Sequence, residues 1–84
     1  MTAATDTAHN GPEAPVPVIA PAEFMRRMKR LVQARAWSDV VALYDRHGPS
    51  VLDRLSHAQL LRVEEIMHVA DTVVELEAAA AARR

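Results

Sequence analysis

This 84-residue chain contains no cysteine, only two glycines and only three aromatic residues, which are Phe24, Trp37 and Tyr44. Without cysteine the chain has no disulfides, no thiolate nucleophile and no thiolate metal ligand. With glycine at positions 11 and 48 alone, a glycine-rich phosphate-binding loop is excluded as well. Because aromatic residues are so few, the core is predicted to consist of aliphatic and methionine side chains.

The chain also lacks a strong net charge and a long apolar run. Its formal charge is −1 at pH 7, so the chain as a whole is not attracted to nucleic acid or to an anionic membrane. The apolar stretch 14–22 is short, is interrupted by proline and has no basic region before it, which argues against a secretory signal. No stretch approaches the roughly 20 apolar residues of a membrane span. We therefore expect no membrane association and a cytoplasmic location.

The composition divides the chain into an arm and a domain. Residues 1–20 are rich in proline, alanine and threonine and have no helical or strand periodicity, which predicts a disordered N-terminal arm. Residues 21–84 are predicted to form a single small helical domain. A domain of roughly 60 residues buries a smaller share of its surface than a larger one does. Oligomerisation or a partner is therefore expected to help it fold.

The apolar periodicity predicts an all-α fold, a small helical hairpin or three-helix arrangement. Its helices are expected at about 22–36, 38–47 and 57–81, with a short helical turn near 50–55. Ser38 is the predicted N-cap of the second helix. Gly48, in a left-handed conformation, and Pro49 are predicted to end that helix. Ser56 and Gln59 have the spacing of a capping box that begins the third helix.

Residues 37–44, with the sequence WSDVVALY, carry a local family resemblance. This stretch is similar to the first helix of a tetratricopeptide repeat, because Trp37, Val40 and Tyr44 lie near the Trp, Leu and Tyr positions of that family. The resemblance covers about eight residues, departs in the second half of the repeat and has no second copy at a period of about 34. It implies a helical hairpin packed by its Trp and Tyr. We expect Trp37 to end the first helix and Tyr44 to turn inward, which places this aromatic pair at the centre of the core.

The third predicted helix has an apolar arc of about 200°, well beyond the roughly 100° that one packing contact requires. Two short helices supply little surface to cover it, so a second chain is expected to cover the rest. This arc predicts a non-enzymatic protein–protein interaction module, either a small homo-oligomer or an accessory or inhibitory subunit of a larger assembly. The predicted interface residues are Leu60, Val63, Ile66, Met67, Val69, Val73, Val74 and Leu76.

The charges are separated along the chain. The segment 22–36 has five basic residues against one acidic residue, and the segment 57–82 has one basic residue against five acidic ones. The two helices are therefore expected to attract each other, within a chain or between chains. The basic surface also suggests an alternative function, a dimeric nucleic-acid-binding regulator, because Lys and Arg neutralise phosphates. No helix-turn-helix pattern accompanies it, which makes this function the less favoured one. The basic residues concerned are Arg26, Arg27, Lys29 and Arg30.

Metal binding and catalysis have little support in the sequence. Glu65 and His68 have the E-x-x-H spacing of di-iron bundles, but those sites need further carboxylates from facing helices. Acidic residues and histidine at this helical spacing usually form a charged surface that faces solvent, so we expect no metal and no cofactor. Asp53, Ser56 and His57 are too close together along the chain to align as a catalytic triad. The chain is therefore not expected to be an enzyme.

Overall fold

A computed structural model describes residues 18–84, and all regular secondary structure in that range is helical. Helix α1 spans Pro21–Gln33, α2 spans Trp37–Val51 and α3 spans His57–Ala82, with a one-turn 3-10 helix at Leu52–Arg54 between the last two. The all-α, three-helix prediction is confirmed, including the short turn near 50–55. None of these helices is both long enough and apolar enough to cross a membrane.

The predicted arm, residues 1–20, falls almost entirely outside the described residues, which include only its last three. Ala20 is extended and precedes Pro21, the first residue of α1. Ile19 is partly buried against the core, and its carbonyl oxygen accepts a hydrogen bond from Arg54 Nη2 at 2.9 Å. Arg54 Nε donates to the Ser50 carbonyl oxygen at 3.2 Å. The segment entering α1 is thus held against the turn between α2 and α3.

The core lies along α2, which packs against both other helices. Buried side chains four residues apart in α1 and seven residues apart in α3 reach this core, as helical periodicity requires. All but one of the buried apolar side chains are aliphatic or methionine, which confirms the predicted composition. They are Phe24, Met28, Val40, Val51, Leu55, Val63 and Ala70.

The aromatic residue at the centre of the core is Phe24, and the expectation for Trp37 and Tyr44 is wrong. Phe24 is fully buried, whereas Trp37 and Tyr44 are partly buried and pack against the outside of the core. Trp37 does not end the first helix either, because it is the first residue of α2. The physical reason is the position of the chain reversal, which lies before Trp37, so this residue begins α2 and does not close α1.

A Schellman motif ends α1 earlier than the predicted boundary at residue 36. The Ala36 N–H donates to the Leu31 carbonyl oxygen at 2.9 Å, and the Arg35 N–H donates to the Val32 carbonyl oxygen at 3.0 Å. Arg35 takes the left-handed position with φ of 55°, where glycine is the usual residue. The Ala36 carbonyl oxygen then accepts from the Val40 N–H at 3.0 Å, so Ala36 is also the N-cap of α2. Ser38, the predicted N-cap, therefore lies inside the helix.

Helix α2 passes through Gly48 and Pro49 and ends at Val51, so the boundary predicted at residue 47 is wrong. Gly48 does not have the positive φ expected of a left-handed cap. Pro49 is exposed and lies two residues before the last residue of the helix. Its missing N–H removes only one hydrogen bond of the helical ladder there. The Ser50 hydroxyl donates to the His47 carbonyl oxygen at 3.1 Å within this last turn.

Helix α3 begins at the predicted capping box. The Gln59 N–H donates to Ser56 Oγ at 3.1 Å, and the Ser56 N–H donates to Gln59 Oε1 at 2.8 Å. The helix has 26 residues, which corresponds to roughly 39 Å, about twice the length of α1. Its last buried residue is Ala70, so the segment 71–82 extends without a buried side chain.

The helical conformation of Gly48 predicts that Gly48→Ala is stabilising. A Cβ there would meet Leu52 Cδ1 at 3.6 Å and Tyr44 Cδ1 at 3.8 Å, which are ordinary van der Waals distances. Alanine has a higher helix propensity, so we expect the free energy of unfolding to rise by about 0.5–1 kcal/mol. Urea denaturation followed by circular dichroism measures the change. A decrease in stability, as a left-handed glycine would give, contradicts the helical assignment.

The left-handed Arg35 predicts that Arg35→Gly is stabilising as well. Relief of the unfavourable φ outweighs the greater flexibility of glycine in the unfolded chain, and the expected net gain is about 0.5–1 kcal/mol. Arg35→Ala is the matched control, since it removes the same charge and keeps the conformational cost. Thermal denaturation at neutral pH compares the three proteins. Equal melting temperatures for the Gly and Ala variants would contradict the Schellman geometry.

Candidate functional site

An apolar stripe of two half-buried and two exposed residues runs along α3 towards its C-terminus. Its residues are spaced by 3, 4 and 3 positions and therefore share one side of the helix. Two of them are among the most exposed large apolar side chains of the described residues, with Val69 at 44% and Leu76 at 64%. We call this set the α3 stripe: Ile66, Val69, Val73 and Leu76.

The structure divides the eight residues predicted for an interface into an inner and an outer group. Val63 is only 2% exposed and lies in the core of this chain, so it is not accessible to a partner in this fold. Leu60, Ile66 and Met67 are partly buried and pack against that core. Val74 is half-buried on the same side. The prediction of Val63 as an interface residue is therefore wrong, because α2 covers this side of α3.

A groove separates α1 from α3, because these two helices make few close contacts with each other along their length. Its volume is about 510 Å³. Ile66 belongs both to the groove and to the α3 stripe, so the two features form one continuous surface. The groove was not predicted from the sequence, in which Met25 beside the basic run was the one signal for it. The lining residues are Met25, Lys29, Val32, Gln33, Ala58, Gln59, Arg62 and Ile66.

The charges on this surface are distributed unequally. Lys29 and Arg62 line the groove from α1 and α3, respectively. The C-terminal segment 71–82 of α3 contains three acidic residues and no basic one. Of the three, only Glu77 flanks the α3 stripe by the helical period, and Arg83 and Arg84 follow the segment. The groove end of the continuous surface is therefore basic, and Glu77 is the acidic residue beside its other end.

The four predicted basic residues do not form one free cationic surface. Glu23 accepts from Arg27 Nε at 2.7 Å and also pairs with Arg26. These hydrogen bonds, that from Arg27 first, hold the pKa of the Glu23 carboxyl group below its usual value. Lys29 lies in the groove and Arg30 is exposed on the helix surface. Two of the four cations thus share one carboxylate, and α1 keeps three positive charges in excess.

A second cavity lies between α2 and α3, with a volume of about 280 Å³. Its lining mixes apolar residues such as Leu52 and Met67 with Glu64, His68 and Asp71. Within residues 18–84, no three His, Asp or Glu side chains are grouped closely enough to hold a metal ion. Glu65 and His68, the metal candidates of the sequence, are both exposed on α3.

His47 is a buried polar residue that the sequence analysis did not single out. It is 5% exposed, and its Nδ1 atom has no hydrogen-bond partner among the described residues. A buried nitrogen without a partner destabilises the folded chain to some extent. His47 lies in the last turns of α2, away from the groove lining, and we assign it to the core.

The Glu23 ion pairs predict a specific pH dependence. Because the pKa of Glu23 is lowered in the folded chain, its contribution to stability is present above the unfolded pKa and is lost as pH falls through the folded pKa. We expect Glu23→Gln to lower the melting temperature at pH 7 and to have less effect at pH 3. Glu75→Gln is the matched control, because Glu75 has no ion pair in the described part of the chain. An NMR titration of Glu23 that gives an ordinary carboxyl pKa would contradict the pairing.

No family model matches this chain, and no curated protein or solved structure matches it either. The resemblance of residues 37–44 to one helix of a tetratricopeptide repeat stays local. The functional assignment therefore rests on the α3 stripe, the groove and their charges.

Proposed function

We propose that this chain is a non-enzymatic protein–protein interaction module, a small homo-oligomeric or accessory or inhibitory subunit that binds through the α3 stripe. The observation that carries the proposal is the alignment of exposed Val69 and Leu76 on a helix that continues past its last buried residue, Ala70. No metal or cofactor takes part. The cytoplasm is the compartment in which we expect it to act.

The energetics of α3 support this proposal. The segment 71–82 has twelve residues, and isolated helices of that length are only marginally stable in water. Its alanine-rich end favours the helix, but none of its side chains is fully buried in the domain. A partner that covers the stripe removes apolar surface from water, which is worth about 25 cal/mol for each Å². Binding of a partner to the stripe therefore also stabilises the helical conformation of the segment 71–82.

The alternative function, a dimeric nucleic-acid-binding regulator, has less support. It requires Arg26, Arg27, Lys29 and Arg30 to face phosphates together. Glu23 already holds two of them, and the neighbouring α3 is acidic. Lys29 and Arg30 remain available to a phosphate backbone. Binding to duplex DNA that weakens steeply with salt and is lost in Lys29→Glu/Arg30→Glu would favour this alternative.

The proposal predicts that Val69→Gln/Leu76→Gln abolishes association without unfolding the domain. Both side chains are exposed, so the free energy of unfolding should change by less than about 0.5 kcal/mol for each substitution. Light scattering at micromolar concentration measures self-association. Quantitative co-purification from the native cell measures binding to any other protein.

The control is Glu75→Gln, which changes an exposed residue on another side of α3. It should behave like the wild-type chain in both measurements. If the wild type and the double variant have the same mass in solution and recover the same proteins in equal amounts, the α3 stripe does not bind and the proposal is wrong.

A further inference from the structure

The groove and the α3 stripe together present a surface that is complementary to itself. The groove is apolar at Met25, Val32 and Ile66, and Lys29 and Arg62 add positive charge. The other end of the surface is apolar at Val69, Val73 and Leu76 and is flanked by one acidic residue, Glu77. An acidic helix with an apolar stripe is therefore the ligand that the groove fits, and α3 of this chain is such a helix.

Glu77 is the acidic residue best placed to meet the groove. It follows Leu76 by about 100° around the helix axis, on the side where Gln59 and Ile66 line the groove. Glu75 lies about 140° from the centre of the stripe by the same period and does not flank it. The two glutamates thus differ in position while sharing charge, helix and exposure.

We propose that the occupant of this surface is a second copy of the chain, with the two α3 helices packed antiparallel. This inference rests on the proposed function and specifies its partner. The spacing of 3, 4 and 3 is the same from either end of the stripe. In one antiparallel register, each stripe residue therefore faces a stripe residue of the other copy. In that register Ile66 of each copy faces Leu76 of the other, Val69 faces Val73, and the two-fold axis passes near residue 71.

The antiparallel orientation follows from the charges. It brings Glu77 of each copy to the groove end of the other, within reach of Arg62 and Lys29. A parallel pair would instead place Glu77 beside Glu77 and Arg62 beside Arg62, with the opposite charges far apart. Opposite charges set the register and orientation of such helix pairs, while the apolar residues supply most of the affinity.

The predicted dimer is small and therefore weak. The overlap runs from about residue 62 to residue 80, roughly 28 Å of helix. Four aliphatic residues from each copy form its apolar centre, which places it at the lower end of specific interfaces. We expect a dissociation constant in the micromolar range, so the exchange between monomer and dimer is measurable by sedimentation equilibrium.

Charge reversal tests the pairing of Glu77 with Arg62. Each substitution occurs twice in a two-fold dimer, and an exposed ion pair changes binding by up to about fivefold. We expect Arg62→Glu and Glu77→Arg each to raise the dissociation constant by roughly tenfold or more. The combined variant Arg62→Glu/Glu77→Arg should return to within about threefold of the wild type. Glu75→Arg, which makes the same charge change off the stripe, should have little effect.

Cross-linking tests the orientation, because the chain has no cysteine of its own. Thr72→Cys lies beside the two-fold axis, so a short bis-maleimide should join two copies. Ala79→Cys lies on the same side of α3, but an antiparallel pair separates its two copies by roughly 24 Å, which is beyond the reach of the reagent. Equal cross-linking of the two variants would indicate a parallel pair and overturn the inference.

The outcomes also separate this inference from the proposed function. A wild-type chain that stays monomeric at 100 μM overturns the dimer, whereas the proposed function survives if Val69→Gln/Leu76→Gln loses a co-purified protein of another sequence. Charge reversals that leave the dissociation constant unchanged overturn the antiparallel pairing even if a dimer forms. A micromolar dimer that responds to both charge reversal and its restoration, and that cross-links at residue 72 alone, supports it.

Discussion

One short helix has to bury apolar side chains from both of its neighbours. Helix α2 has fifteen residues, and it alone packs extensively against both α1 and α3. Phe24 and Met28 reach the core from α1, and Val63 and Ala70 reach it from α3. Because α2 lies between these two sets, α1 and α3 do not close on each other, and the groove remains open at their junction.

The same constraint determines which part of α3 stays exposed. A helix of fifteen residues is roughly 22 Å long and cannot cover a helix of 26 residues along its whole length. The contact of α3 with the core ends at Ala70, and apolar side chains continue to Leu76. A contiguous exposed apolar surface of this kind is typical of interaction sites. Lys29 and Arg62 at the groove and Glu77 beside the stripe distinguish the two ends of this surface, which apolar side chains alone do not.

Features determined by neighbouring residues were predictable from the sequence. The Ser56–Gln59 capping box is local chemistry within four residues, and it is present as predicted. The end of α2 was not predictable in the same way. Gly48 and Pro49 are strong terminators in isolation, yet the helix continues because the loss of one hydrogen bond near its end is small beside the burial of Val51 in the core. The left-handed Arg35 carries no glycine signal, so the first chain reversal was placed too late.

The sequence by itself determined the helical class, the approximate helix positions, the separation of basic from acidic segments and the width of the apolar arc on α3. These features depend on the 3.6-residue period and on residue composition, which are properties of short segments. Only the tertiary structure decided which side of that arc faces α2, and therefore that Val63 is buried while Val69 and Leu76 are exposed. It also decided that Phe24 occupies the centre of the core and that a groove lies between α1 and α3. The physical reason is that helix packing depends on contacts between residues distant in the chain, and these contacts leave no periodic signal in either segment alone.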